Sequence, residues 1–439
     1  MGVDTTPVRI GLLGIGTVGG GTYDVLTRNR EEITRRVGRP IAITKVADLD
    51  QDLARRVTGP EVELTTDASS VVRDPQIDII VELIGGYGVA KDLTLEAIAH
   101  GKHVVTANKA LLAVHGNEIF QAARDRDVMV AFEAAVGGGI PIIKALREGL
   151  VANHIEWIAG IINGTTNFIL SEMRSRGVSF DEALADAQAN GYAEADPTFD
   201  VEGVDAAHKL SLMAAMAFGV PVRFDHAHVE GITAVQQTDI RYAEELGYRV
   251  KLLGITKRRP EGVELRVHPT LVPATRLIAN VEGVMNAVLV QGDAVGPTLY
   301  YGAGAGARPT ASAVIADLVD VARLITADPE HRVPHLAFQP DQVTDIPVLP
   351  MDDVTSCYYL RLSVADEPGV LADITRILAD ERISIDAALQ KEPGEDGQAA
   401  VVLLTHECAE RSVRAAIAKI EALPTNTGPV VSLRMEKLS

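Results

Sequence analysis

The sequence predicts an α/β architecture in three parts: a parallel sheet flanked by helices, an α+β region, and a small terminal unit of four strands and two helices. Three observations carry this. From Val8 to about residue 140, short β-branched runs alternate with helical patterns. Between about Lys144 and Ala307, apolar strands mix with long helices. Beyond a proline-rich stretch from His331 to Asp353, the pattern reads strand, helix, strand, strand, helix, strand, which covers one face of an antiparallel sheet. At 439 residues the chain is also too long for one core. Expected strands are Val8 to Leu13, Ile41 to Ala47, Ile77 to Glu82, His103 to Ala107, Val128 to Glu133, Ile155 to Ile162 and Leu265 to Leu271. Thr310 to Ile325 reads as one amphipathic helix, and the terminal helices fall near Gly369 to Asp380 and Glu410 to Leu423. The resulting domains are 1–143, 144–309, a returning helix at 310–330, a linker at 331–355, and 356–439.

Composition narrows the function classes. Hydrophobic residues make 47% and charged residues 23%, the balance of a globular protein. A formal charge of −19 with no basic block repels polyanions, so neither nucleic acid nor an anionic membrane is an expected partner. No window approaches a membrane span, and no basic-then-apolar leader precedes Val8, so a soluble, cytoplasmic protein is expected. Met1-Gly2 with Thr6 matches the myristoylation pattern, but one acyl chain anchors only marginally and a strand follows at once. Cys357 and Cys408 lack metal-ligand spacing and read as reduced thiols.

Directly after the first strand, Gly14, Ile15, Gly16, Thr17, Val18 and Gly19 form G-x-G-x-x-G at a strand-to-helix turn. With a strand before it and a helix after it, this is expected to be a Rossmann dinucleotide site, a bare structural turn being the alternative. Side chains at Gly14, Gly16 and Gly19 would obstruct the turn, the pyrophosphate and the helix packing respectively, while the helix N-terminus offers N–H groups to phosphate. Asp48 ends the second strand, where a carboxylate accepts ribose hydroxyls and favours NAD; Arg55 and Arg56 close behind leave NADP equally open.

Thr106, Ala107, Asn108 and Lys109 follow the expected fourth strand, at the carboxyl edge where open α/β folds bind ligands. Lys109 is therefore either catalytic or a solvated lysine at a helix start. The loop Gly191 to Pro197, with Glu194 and then Asp200, is too acidic for packing. It leads to Asp205 and Lys209, four residues apart on one helix face. They are either a surface pair or, because the helix continues apolar most of the way round through Phe218, a buried one. Burial disfavours an ammonium, which suits Lys209 to proton transfer at a reacting oxygen. Glu194, Asp200 and Asp205 suit a substrate that carries an ammonium. Residues 1–356 hold no cysteine, which excludes a thioester route and leaves alcohol–carbonyl hydride exchange.

These segments together resemble the homoserine dehydrogenase family from Val8 to the end. The segments that carry the resemblance are the glycine turn, Thr106 to Lys109, Asn163-Gly164-Thr165-Thr166-Asn167, Gly191 to Asp196 with Asp205 and Lys209, and Gly304-Ala305-Gly306. The resemblance implies reversible reduction of L-aspartate 4-semialdehyde to L-homoserine in threonine, methionine and isoleucine biosynthesis. Lys209, Lys109 and Asp205 would be catalytic, and Glu194, Asp200, Thr165 and Gly164 would hold substrate. Gly14, Gly16, Thr17, Val18, Gly19, Asp48, Gly85, Thr106, Lys109, Gly304 and Gly306 would hold the cofactor, NADP being favoured over NAD. Glu133, Val136, Gly138 and Ile140 would bind sodium, whose preference for hard oxygens they suit; a glycine-rich turn closing the first domain is the alternative.

The terminal unit resembles the ACT family, modules that often bind amino acids. Asp366, Gly369, Val370 and Leu371 lie at its first loop-to-helix turn, and threonine is the implied effector, with dimerisation alone as the alternative. A homodimer or homotetramer is expected. Two rivals were weighed. A phosphoglycerate-type dehydrogenase needs an Arg and His pair not found in the catalytic region, and a pure amino-acid sensor would not keep the glycine turn and both lysines. The terminal unit, lying beyond all the proposed chemistry, is expected to be removable near Val354 without loss of activity.

Overall fold

The structure is a computed structural model that describes residues 6–390 and 398–438. The Met1-Gly2 pair lies outside them. Along the chain the strands are β1 (Val8–Leu13), β2 (Ile41–Ala47), β3 (Glu63–Thr65), β4 (Ile79–Glu82), β5 (His103–Thr106), β6 (Val130–Ala131) and β7 (Ile155–Ile161). Then follow β8 (His228–Val229), β9 (Tyr248–Arg259), β10 (Gly262–Pro273), β11 (Met285–Gly292) and β12 (Gly296–Ala303). The last are β13 (Thr355–Ala365), β14 (Ile385–Gln390), β15 (Gln398–Thr405), β16 (Cys408–Ala409) and β17 (Val431–Met435). The chain forms two compact units.

The first unit comprises Met1–Gly164, Asp205–Ala227 and Val284–Ile346. Its parallel sheet has the order β3-β2-β1-β4-β5-β6, which reverses direction between β1 and β4. That reversal opens a crevice beyond the carboxyl ends of the strands, where ligands of such sheets bind. Covered on both faces, β1 and β4 are apolar throughout apart from Arg9 and Glu82. The helix Thr17–Arg28 and the later helix Ala307–Leu324 pack closely, a Cβ on Gly21 falling 2.6 Å from the Ala307 carbonyl oxygen. Val314, Leu318 and Val321 of the later helix thereby join the core of β1 and β2. Strands β12, β11 and β7 pair antiparallel in that order and complete this unit.

Two expectations shift here. The strand expected over Val128 to Glu133 is only β6, because Phe132 leaves extended geometry and Glu133–Ala135 form a 3-10 turn. The Glu133 carboxylate then accepts from the Ile143 and Lys144 amides at 2.9 and 2.7 Å, which an outward strand position would forbid. The three-residue edge strand β3 is additional, too short to leave a pattern.

The second unit comprises Thr165–Val204, His228–Gly283 and Pro347–Ser439. Within it β9-β10-β17-β13-β15-β14 form one sheet. Helices Val370–Asp380 and Glu410–Glu421 cover one face, where Ile374, Leu378, Val413 and Ile420 pack with Tyr358, Leu360 and Leu362. From the other face, Tyr359 and Arg361 donate to Asp239 on helix Gln237–Glu245.

This arrangement bears on the expectation that the terminal unit is removable. β17 pairs in parallel with β10, and the fully buried Arg266 guanidinium of β10 bonds Glu436, just after β17, at 2.5 Å. The expected linker is itself tied down: Val263 donates to the Pro347 carbonyl and Leu349 to the Val263 carbonyl. Among the described residues, no helix is long and apolar enough to cross a membrane.

Candidate active site

The glycine turn lies at the carboxyl end of β1. A Cβ on Gly14 would stand 2.8 Å from the Leu83 carbonyl oxygen, and one on Gly19 only 2.1 Å from that of Gly14. One on Gly16 would meet nothing within 4 Å. Gly14 and Gly19 are therefore demanded by the chain's own packing, while the space above Gly16 stays open at the N-terminus of helix Thr17–Arg28. That openness beside helical N–H groups fits a dinucleotide pyrophosphate.

Asp48 is anchored at the end of β2. Its Oδ2 accepts from the Ile15 amide at 2.6 Å and its Oδ1 from the Asp50 amide at 2.8 Å, so the carboxylate braces the glycine turn against the end of β2. Arg55 donates to the Gly59 and Val62 carbonyls. Across the crevice, Glu82 is fully buried; its Oε1 accepts from the Ile84 and Gly85 amides and its Oε2 from the Thr106 hydroxyl at 2.7 Å. The Asn108 side chain caps helix Lys109–Asp125 through the Leu111 amide and donates to the Gly86 carbonyl. Gly85, Thr106 and Lys109 are thus held on one scaffold. Gly304 and Gly306 enter helix Ala307–Leu324, and a Cβ on Gly304 would overlap the buried Asn286 side chain at 1.9 Å.

The charged centre of this unit is Asp205, 3% exposed on a helix whose positions from Asp205 to Phe218 are all buried. Its Oδ2 accepts from Lys209 Nζ at 2.5 Å and from Asn163 Nδ2 at 2.9 Å, and its Oδ1 lies 3.2 Å from Lys109 Nζ. Lys209 also donates to the Ile162 carbonyl at 2.7 Å. Burial alone would raise the Asp205 carboxyl, but the Lys209 and Lys109 ammoniums hold it well below the usual carboxylate range. The structure therefore joins Lys109, Asp205 and Lys209, and it gives Lys209 a counter-ion that an argument from burial alone lacked. Asn163 completes the group. It opens the Asn163 to Asn167 segment noted in the sequence, but nothing there distinguished it from a turn residue.

In the second unit the Thr165 hydroxyl lies 2.7 Å from the Tyr192 carbonyl oxygen and 2.9 Å from Asp200 Oδ2. With one proton it serves one at a time. Glu194 is exposed, and its main-chain carbonyl accepts from Gln188. Gly164 opens the helix to which Thr165 belongs.

Around Glu133 the chain turns through Val136, Gly138 and Ile140. Desolvation pushes the Glu133 carboxyl up to about 7 and that of Asp317, which accepts from the Glu133 amide, well above its ordinary range. In the terminal module, the exposed Asp366 and Gly369 precede helix Val370–Asp380, with Val370 buried and Leu371 exposed.

Family models match the chain in three blocks: homoserine dehydrogenase over residues 141–319, the homoserine dehydrogenase NAD-binding domain over 14–133, and an ACT domain over 358–425. A homoserine dehydrogenase of Pseudomonas aeruginosa is 59% identical over 439 residues, covering 99% of this chain and 100% of its own. The chain belongs to the homoserine dehydrogenase family. Its fold agrees with the crystal structure of the Thiobacillus denitrificans homoserine dehydrogenase, with a TM-score of 0.95 and 64% identity over 99% of each chain. A hyperthermophilic archaeal homoserine dehydrogenase in complex with NADPH matches with a TM-score of 0.61 and 26% identity, over 72% of this chain and 98% of that one. As a homoserine dehydrogenase the chain is an NAD(P)-dependent oxidoreductase, and its terminal unit is an ACT domain.

Proposed function

We propose that this homoserine dehydrogenase reversibly reduces L-aspartate 4-semialdehyde to L-homoserine, serving threonine, methionine and isoleucine synthesis, with Lys209 exchanging the proton at the reacting oxygen. The observation that carries the reading is the buried Lys109–Asp205–Lys209 group with Asn163. Bound nicotinamide supplies or accepts the hydride. Lys209 protonates the nascent alkoxide in reduction and takes the hydroxyl proton in the reverse direction. Asp205 and the Ile162 carbonyl fix the direction of its N–H bonds, and Lys109 supplies a second positive charge that stabilises oxygen as negative charge develops on it.

Asp200, Thr165, Gly164 and Glu194 hold the amino-acid end, the carboxylates pairing with its ammonium. Gly14, Gly16, Thr17, Val18, Gly19, Gly85, Thr106, Gly304 and Gly306 hold the cofactor. Asp48 would face the adenosine ribose, and NADP is favoured over NAD by the family resemblance and by a relative known with NADPH. The oxygens of Glu133, Val136, Gly138 and Ile140 would hold sodium. Asp366, Gly369, Val370 and Leu371 would take an amino-acid effector, threonine by the pathway's logic. The domain limits 1–143, 144–309, 310–330, 331–355 and 356–439, a dimeric or tetrameric assembly and a cytoplasmic setting complete the proposal.

Nicotinamide absorbance followed with L-homoserine and either cofactor, with and without threonine and sodium, tests it. Reduction that is faster with NADP and slowed by threonine is expected. No reduction with either cofactor refutes the activity, and a rate indifferent to threonine refutes that effector.

A further inference from the structure

Asp200 is placed by more than its own loop. Helix Thr198–Val201 is capped by Glu202 and followed by Gly203, whose amide donates to the Asp200 carbonyl at 3.0 Å. The segment after β8 lies directly against this end. Ile232 donates to the Val201 carbonyl at 2.8 Å, and a Cβ on Gly231 would stand 2.3 Å from that oxygen, so the two backbones touch with no space for a side chain. Neighbouring Glu230 donates through its amide to the Val267 carbonyl of β10 at 2.8 Å.

The Glu230 side chain is clasped by Arg434 of β17. Nη1 bonds Oε2 at 2.7 Å and Nη2 bonds Oε1 at 2.9 Å, while His228 lies 2.7 Å from Oε1. The same guanidinium grips Glu410 at 2.8 and 2.7 Å, and Glu410 also accepts from the Tyr358 hydroxyl at 2.6 Å. Glu410 is the first residue of helix Glu410–Glu421, the second helix of the ACT domain. Arg434 is 6% exposed and its pair with Glu410 is shielded from the solvent that weakens surface pairs, while the Glu230 carboxylate is partly exposed. Although desolvation opposes it, the hydrogen bonds from His228 and Arg434 hold the Glu230 carboxyl far below its ordinary range. A planar guanidinium bidentate to two carboxylates fixes both in distance and in angle.

We propose that Arg434 and Glu230 are positioning residues through which the ACT domain sets Asp200, so that movement of helix Glu410–Glu421 reaches the acidic substrate loop. The path is Glu410, Arg434, Glu230, the Gly231–Ile232 backbone, Val201, Asp200 and Thr165. Its functional consequence rests on the reading that Asp200 holds the substrate's amino end.

The test compares the full-length enzyme with Glu230→Gln, Glu230→Asp and Asp200→Asn. Glu230→Gln keeps the volume and leaves Arg434 paired with Glu410; Glu230→Asp keeps the charge and serves if the amide variant is poorly folded. Two readouts are taken: hydrogen–deuterium exchange of amides 198–203, and the KM values for homoserine and for the cofactor. Glu230→Gln should speed exchange in 198–203 and raise the homoserine KM by about 2- to 30-fold with the cofactor KM unchanged, the range for residues that carry coupling without touching ligand. Glu230→Asp should restore part of both. Wild-type exchange at 198–203 in Glu230→Gln overturns the link. An unchanged homoserine KM in Glu230→Gln, where Asp200→Asn raises it, overturns the positioning role. If Asp200→Asn itself leaves the homoserine KM unchanged, the substrate role of Asp200 falls instead, and exchange alone judges the link.

Discussion

Replacing Lys209 with Met separates proton transfer from packing. Methionine retains an unbranched stem of similar length, so the apolar contacts of a side chain only 10% exposed survive in large part. What disappears is the ammonium 2.5 Å from Asp205. Breaking a buried pair costs about 3–5 kcal/mol when a charge is left uncompensated. Asp205 keeps Lys109 at 3.2 Å and the Asn163 amide at 2.9 Å, so the lower end of that range, about 3 kcal/mol, is expected for stability. Losing a general acid lowers kcat about 10²- to 10⁴-fold, equivalent to about 2.7–5.5 kcal/mol of barrier. Cofactor affinity should stay within about threefold, since the glycine turn that would carry the pyrophosphate is untouched. Steady-state kinetics with homoserine, a thermal melt and a fluorescence titration of reduced cofactor measure all three. Turnover within tenfold of wild type in a folded variant would refute the assignment.

Other predictions follow from the same contacts. Gly16→Val should fold normally and raise the cofactor KM at least tenfold, whereas Gly19→Ala, forced against the Gly14 carbonyl, should lower the melting temperature; equal melting of the two would contradict the packing argument. A chain ending at Val354 should be insoluble or unfolded, because the buried Arg266 loses Glu436 at about 3–5 kcal/mol and the partly exposed Glu230 loses Arg434; an active, soluble fragment would count against this. Glu436 is held down to about 2 by Arg266 and Lys257 despite desolvation, against 4.5 when unfolded. Its contribution is therefore complete above about pH 4.5 and is lost as pH falls toward 2. Thermal melts across that window should show a shallower acid limb for Glu436→Gln, and superimposable limbs would rule the group out.

Much of the fold was legible because it is local. β1 and β2 begin and end where the β-branched runs do, and the helix from Val204 to Phe218 is buried all round, as its apolar circumference required. What escaped was non-local. β17 pairs with β10 across some 160 intervening residues, and no pattern in either strand names its neighbour. The proline-rich segment read as a free linker because prolines break periodicity, yet a backbone pair between Val263 and residues 347–349 needs none. The site divides similarly. Lys209 stood out as a charge on an apolar helix, but Asn163 and Glu82 are polar residues in a turn and a strand whose buried partners only the fold supplies. Asp48 was correctly located at the end of its strand, while the direction of its carboxylate depends on the Ile15 amide. Gly369 carries a further lesson. Its φ of +101° means that any side chain there strains the helix entry, so Gly369→Glu would not isolate effector binding.

The central claim is that this chain oxidises the hydroxyl of homoserine at the expense of a nicotinamide. Mass spectrometry of L-homoserine incubated with the enzyme and NADP tests it most directly. A product lighter by two hydrogens, formed in step with reduced cofactor and absent with Lys209→Met, is the predicted result. Unaltered homoserine under those conditions, from an enzyme shown to bind the cofactor, would contradict the account.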